Sequence, residues 1–397
     1  MSFKTRSANQ RVAVIVLGAV LAGVLVVALA GCGGRLGKMR RSLESESRGD
    51  ASAGQPAATK AAKAPRVAPT LEEIATSDEL WTGVAVSRDG RIFVCYPRWS
   101  ANPTVSVGEI RIGGKIWPCP DEEWNTWAPP ADPVRHFVSV QSVYVDRDDY
   151  LWVLDPANAY MQGVVEGGAK LVKVDIRKNQ IVHQIQFDET IAPPASYLND
   201  VRVDTGRGVA YITDSGLGAL IVVDLATGKS RRVLADHSST KSEDLVLRID
   251  GKEWRPNGRA PQIHADGLAL DAAGDYLYYH ALTARNLYRI GTRFLLDPAL
   301  TEHELVAKVE SLGTTGAADG MEFGPDGYLY LTGIEDGTIK VFASIGNTEP
   351  IIRDPRLIWP DSFARGPGGY MHVTTSQINL GAARAQPYKL FRFKLED

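Results

Sequence analysis

Six stretches of the chain repeat one pattern: a polar residue, a small residue, then apolar-x-apolar. They are Thr82-Gly83-Val84-Ala85-Val86, Gln141-Ser142-Val143-Tyr144-Val145, Asn199-Asp200-Val201-Arg202-Val203, Asp266-Gly267-Leu268-Ala269-Leu270, Asp319-Gly320-Met321-Glu322-Phe323 and Asp361-Ser362-Phe363-Ala364-Arg365. Their first residues lie 59, 58, 67, 53 and 42 positions apart. A repeat of this size is one supersecondary unit that buries its apolar face only by stacking on its neighbours. For short strands joined by tight turns, radial closure leaves no long exposed edge. The pattern therefore predicts an all-β, six-bladed β-propeller over residues 69–397.

The text between the repeats agrees. Leu151–Leu154, Ala210–Thr213, Leu277–His280 and Leu329–Thr332 read as second strands, and Asp89-Gly90 and Asp326-Gly327 supply the positive φ that tight hairpins need. Tyr388–Leu395 alternates as a final strand. Leu71–Leu80 is too short to stand alone and is predicted to pair with the last blade and close the ring. One short helix is expected within Leu287–Leu305. The two longest interruptions, Trp117–Arg135 and Ala235–Gln262, are expected to be covering or functional loops.

The N-terminal residues follow a different logic. Lys4, Arg6 and Arg11 precede an apolar run from Val12 to Ala30, the layout of a secretory signal. Leu29-Ala30-Gly31-Cys32 resembles a bacterial lipobox, which implies cleavage before Cys32 and lipidation of its thiol. An uncleaved membrane anchor is the alternative. The expected organisation is a signal peptide over 1–31, a lipidated Cys32 with a flexible Ala/Pro/Ser-rich tether over 32–68, and the propeller over 69–397. Localisation to the cell envelope, facing periplasm or exterior, follows. Residues 33–66 hold eight Lys/Arg against three Asp/Glu, whereas 67–397 hold 33 against 44. A basic tether suits an anionic membrane surface, and an acidic domain argues against nucleic-acid binding. Cys95 and Cys119, both expected in blade one, are a candidate disulfide outside the cytoplasm, with small buried hydrophobes as the alternative.

In a propeller the innermost strand lines the central channel, so Thr82, Gln141, Asn199, Asp266, Asp319 and Asp361 should converge near one mouth, with Asp200 beside them. Three carboxylates and two carboxamides offer hard oxygen donors. They suit a divalent cation such as Ca²⁺, with Asn199, Asp266 and Asp319 as candidate ligands, or a polar organic ligand. The alternative for each Asp-Gly is a backbone cap at the strand start. Asp214 also lies near the ring in sequence. His264, two residues before Asp266, is a candidate general base, and Asp266 the candidate catalytic acid or base. The cluster Trp99, Trp117, Trp124 and Trp127 is expected to pack loops, with an aromatic ligand floor as the alternative. No Gly-x-Ser-x-Gly elbow, P-loop, His-Glu-x-x-His or zinc-type cysteine pairing is present.

Trp81-Thr82-Gly83-Val84-Ala85-Val86 with Gly90–Val94 and Tyr96-Pro97-Arg98-Trp99 is similar to the opening of major royal jelly/Yellow proteins. So are Asn199–Asp204 with Ala210–Gly216, and Trp359–Phe363 with Ser376-Gln377-Ile378-Asn379. The resemblance covers about residues 70–395. It implies a six-bladed propeller, secretion and a channel ligand site, in a family that includes proteins linked to dopachrome conversion and salivary binders of biogenic amines. A more distant resemblance, to gluconolactonase/senescence-marker propellers, implies a divalent metal. Asn199 and Asp266 match that metal set in register, but Thr82 stands where those proteins carry Glu. Three functions follow as expectations: binding of a small polar or aromatic ligand in the channel, metal-dependent lactone or ester hydrolysis, or a scaffold for an envelope protein.

Overall fold

The computed structural model describes residues 68–384 and 386–395. The signal segment, Cys32 and the tether as far as residue 67 lie outside the described residues. Six four-stranded antiparallel sheets form the domain. In each, the strand carrying the repeat is innermost: Val84–Val86, Ser142–Val145, Leu198–Asp204, Ala265–Leu270, Met321–Phe323 and Pro360–Arg365. Each packs on its counterpart in both adjacent blades, from blade one to blade six and back to blade one. Glu72–Ser77 pairs with Tyr388–Lys394 as the outermost strand of blade six, so the N-terminal segment closes the ring.

The core lies between blades. Ala85, Phe93 and Val107 of blade one pack on Val143, Val153 and Val172 of blade two. Tyr330, Ile339 and Val341 of blade five pack on Phe363, Met371 and Phe391 of blade six. Strand alternation places one apolar row on each face of a blade, and each fully buried Val or Leu is worth about 1.5–3 kcal/mol against an exposed one.

Polar clasps then fix the register around the axis. Thr213 Oγ1 accepts from Asp200 N–H (3.0 Å) and donates to the Asp266 carbonyl of the next blade (2.6 Å). Thr374 Oγ1 accepts from Ser362 N–H (3.2 Å) and donates to the Thr82 carbonyl (2.6 Å). In blade one a cysteine holds this second-strand position: Cys95 Sγ donates to the Gln141 carbonyl at 3.1 Å, beside Thr82 Oγ1 at 2.9 Å. The repeat's Asp-Gly pairs are explained by the same contacts. A Cβ on Gly267 would collide with the Asp319 carbonyl, and one on Gly320 with the Asp361 carbonyl. The small residue is what lets the next blade's backbone approach.

The two cysteines are free thiols, which corrects the candidate disulfide. Cys95 pairs with Val107, and Cys119 N–H donates to the Val107 carbonyl, so a whole strand separates them. Two strand spacings of about 4.8 Å exceed the Cα separation a disulfide spans. Burial pushes both thiols up to about 12.

The segment Leu287–Leu305 also differs from expectation. Its first residues belong to the strand Asn286–Gly291, and two one-turn helices follow, Thr292–Leu295 and Glu302–Val306. The second carries a Thr301/Glu304 capping box.

Candidate functional site

Three of the inner strands carry a β-bulge at the ring: between Leu198 and Val201, Ala265 and Leu268, and Pro360 and Phe363. A bulge leaves one residue unpaired and turns its side chain off the regular alternation. Asn199, Asp266 and Asp361 sit at these bulges, and together with Gln141 and Asp319 they line one cavity of about 420 Å³ at the channel mouth. Its walls are mainly apolar: Trp99, Met161, Pro194, Ile263, Leu282, Trp359 and Ile378. Thr82, buried under this ring, spends its hydroxyl on the Gln141 carbonyl and does not line the cavity.

A relay of hydrogen bonds orients the neutral half of the ring. Trp99 Nε1 donates to Tyr197 Oη (2.5 Å), and Tyr197 Oη donates to Gln141 Oε1 (2.8 Å). Gln141 Nε2 donates to Asn199 Oδ1 (3.4 Å), and Asn199 Nδ2 donates to Asp266 Oδ2 (2.9 Å). The acidic half receives Trp359 Nε1 on Asp319 Oδ2 (2.6 Å) and Ser362 Oγ on Asp361 Oδ1 (2.9 Å).

Three buried carboxyls side by side cannot all ionise freely. Burial, then the charges of Asp319, Asp361 and Asp200, holds Asp266 well above the usual carboxylate range. Burial and Asp361 raise Asp319 as well, but the Trp359 N–H and a hydrogen bond from Asp266 favour its ionised form. Asp266 and Asp319 thus form a pair, both raised, that shares a proton. Burial lifts Asp361 to about 6, against the Ser362 hydroxyl.

Asp200 lies on the far side of the ring. Its carboxylate accepts from Ser142 Oγ (2.9 Å) and Arg202 Nη1 (2.8 Å) and lines a smaller cavity deeper in the channel. Arg202 reaches from blade three to Glu322 of blade five (3.2 Å) and to the Met321 carbonyl (2.8 Å). This ion pair bridges the channel below the mouth, so the upper cavity is a cup with an acidic floor.

Asp214 is structural: buried, it accepts from Tyr197 and Gly216 N–H, and Arg232 pairs with it at 2.7 Å. His264 is placed away from the cup. Its Nδ1 accepts from Ser242 N–H at 2.9 Å and ties down the 235–262 excursion, and burial lowers its pKa. The geometry therefore does not support His264 as a base acting in the cup. The excursion itself covers one side of the mouth, where Trp254 packs edge-on against Trp359 with centroids 4.7 Å apart. Trp359 and Tyr197 are the site residues that sequence reasoning missed, although Trp359 stood two positions before a ring Asp. Of the tryptophan cluster, Trp99 lines the cup, Trp124 packs on Phe137, Trp127 is buried and Trp117 faces outward.

The set does not fit a divalent metal site. Among the described residues no group of three or more His, Cys, Asp or Glu is arranged to hold a metal ion. Asn199 turns its amide nitrogen, not its oxygen, toward Asp266, where a cation shared with Asp266 would need an oxygen.

The family model described as major royal jelly protein matches residues 138–366. The chain belongs to the major royal jelly protein family. Major royal jelly protein 5 of Apis mellifera is 24% identical over 220 residues, covering 51% of this chain and 34% of that protein. Major royal jelly protein 6 of the same species is 24% identical over 233 residues, covering 54% and 49%. The chain thus spans half or less of the length of these curated relatives. Among solved structures, a gluconolactonase from Xanthomonas campestris superposes with TM-score 0.52 at 14% identity, covering 86% of this chain and 98% of that one. A luciferin-regenerating enzyme gives 0.52 at 12%, covering 82% and 95%. At such identity the likeness concerns the propeller fold alone. The matched segment of this royal-jelly-family chain contains five of the six ring positions.

Proposed function

We propose that this chain is an exported propeller, lipid-anchored at Cys32, whose cup binds a small organic ligand with an aromatic or apolar body and a cationic or hydrogen-bond-donating group. The observation that carries the reading is the pairing of an acidic floor, Asp266, Asp319 and Asp361, with apolar walls that include Trp99 and Trp359. Such a cup rewards a ligand whose cation replaces the shared proton and whose body displaces water from the walls. Asn199 and Gln141 add oriented amide groups for polar substituents. Metal-dependent lactone or ester hydrolysis is the weaker reading, because Asn199 and the acids are not disposed as a metal set. An envelope-protein scaffold draws little support from the Trp117–Trp127 loop, where Trp124 and Trp127 are turned inward and Trp117 alone of the three faces outward.

The test is a thermal-shift and calorimetric screen of amines, catechols and sugars against the full chain. Amines should raise the melting temperature. Asp266→Ala and Asp319→Ala should weaken binding about tenfold or more, the worth of a hydrogen bond to a charged group. Unchanged binding in both folded variants would remove the cup as the site.

A further inference from the structure

The strands of each blade run between two faces, and their pairings sort the loops. Pro360, Thr375 and Lys389 lie at the mouth end of blade six, and Arg365, Met371 and Phe393 at the opposite end. Glu72 pairs with Arg392, so the chain enters the propeller on the face opposite the cup. In blade one, Val86, Ile92, Ile110 and Ile116 pair in succession at that same end. The hairpin tip they lead to, residues 111–115, therefore projects from the entry face. In blade five, Phe323, Leu329, Phe342 and Thr348 do likewise, and the tip at Ile345 projects from it too.

These tips flank the entry point. Blades five and one are the two neighbours of blade six, and Ile74 of the entry strand packs in one cluster with Ile110 and Ile116. Ile112 is 100% exposed and Ile345 69% exposed, each at the apex of its turn. Half-exposed Trp117 stands beside Ile116, with the Arg111 guanidinium 4.5 Å above its ring. Lys115 completes the tip and has no carboxylate partner among the described residues. Arg111 pairs with Glu109, which also faces Arg91. The acids of the entry strand are neutralised: Glu72 by Arg392 and Glu73 by Lys389, both at 2.8 Å. A single exposed isoleucine has no meaning of its own. Here two sit on hairpin tips of one face, with a half-exposed tryptophan and the unpaired Lys115, beside the point where the basic segment 33–66, eight Lys/Arg against three Asp/Glu, leads into the propeller.

We propose that the face opposite the cup docks on an anionic bilayer surface, with Ile112 and Ile345 dipping into the headgroup–acyl boundary, Trp117 at headgroup level, and Arg111 and Lys115 against lipid phosphates. Aromatic and basic side chains around a small apolar tip are the chemistry of an interfacial contact. The cup then opens away from the membrane, and the ion pair across the channel keeps its floor closed on the lipid side.

The experiment uses the full chain carrying an environment-sensitive fluorescent amino acid in place of Ile112, Ile345 or, on the cup rim, Met161. Each protein is mixed with phosphatidylcholine vesicles, with or without phosphatidylglycerol, that contain a lipid-borne quencher. Quenching at 112 and 345 several-fold above that at 161, reduced without phosphatidylglycerol and, at 112, by Lys115→Glu, is the expected result. Equal quenching at 112 and 161, equal quenching in the two vesicle types, or no vesicle binding overturns the proposal. A lipid-independent signal that grows with protein concentration does so too, since the face would then meet a second copy. None of these readouts depends on the ligand in the cup.

Discussion

Replacing Asp361 by Asn should make the protein more stable, and increasingly so as pH rises. The carboxyl is buried and its pKa is lifted from 3.8 to about 6. A carboxyl whose folded pKa is raised carries no penalty below its unfolded pKa; the penalty grows between the unfolded and folded values and is constant above the folded one. About two units at about 1.4 kcal/mol each give a cost of about 3 kcal/mol that is fully expressed above pH 7. Asn keeps the shape and the acceptor for Ser362 Oγ, but has no charge to desolvate. The difference in unfolding free energy between Asp361→Asn and the parent should therefore widen by about 3 kcal/mol between about pH 3 and pH 8. For a domain of this length that is about 4 °C in melting temperature. Removing one charge also relieves Asp266 and Asp319, so the change should not fall short of this. Urea unfolding across that pH range is the assay. A difference that stays flat, or narrows as pH rises, would refute the crowded-carboxyl reading of the floor.

The clasps and thiols give two more predictions. Gly320→Ala should cost about 1–3 kcal/mol or more, because its Cβ meets backbone oxygen and not a flexible side chain; a variant within 0.5 kcal/mol of the parent by urea unfolding would contradict the close approach. Cys95 and Cys119 should resist alkylation in the folded protein, their thiols being pushed up to about 12, and both should alkylate on unfolding without reductant; a disulfide-linked peptide pair recovered by mass spectrometry would contradict the strand order of blade one.

The fold was legible because a propeller writes its geometry six times. The polar-small-apolar run marks each innermost strand, and the alternation in Tyr388–Leu395 marks the strand that receives the N-terminal segment. The ring of Gln141, Asn199, Asp266, Asp319 and Asp361 was legible for the same reason. Its energetics were not. That Asn199 presents nitrogen to Asp266 depends on a relay starting at Trp99, which is 100 residues away in sequence. His264 looked like a site residue by proximity in sequence, but a bulge between Ala265 and Leu268 separates its direction from that of Asp266. The Cys95–Cys119 pairing failed because membership of one blade says nothing about which strands are adjacent.

Repetition and departure from it divide the work in this molecule. Where the ring positions act through backbone, they are nearly interchangeable: Thr213, Thr374 and Cys95 each bind a carbonyl of the next blade, and any small donor serves. Where they act through side chains, they differ, and the differences are sorted in space. Neutral Gln141 and Asn199 occupy adjacent blades, and Asp266, Asp319 and Asp361 occupy the next three. The cup is thus polar on one side and acidic on the other, a dipolar floor that a six-fold ring of identical residues would lack. An asymmetric ligand entering it meets carboxyls only along one arc, so its orientation is set by which of its ends carries positive charge. Exchanging Asn199 and Asp361 as a pair would keep composition and total charge while moving that arc by one blade. The exchange also breaks the Asn199–Asp266 relay. Loss of orientation with binding retained would therefore identify the arc, not the net charge, as what the cup reads.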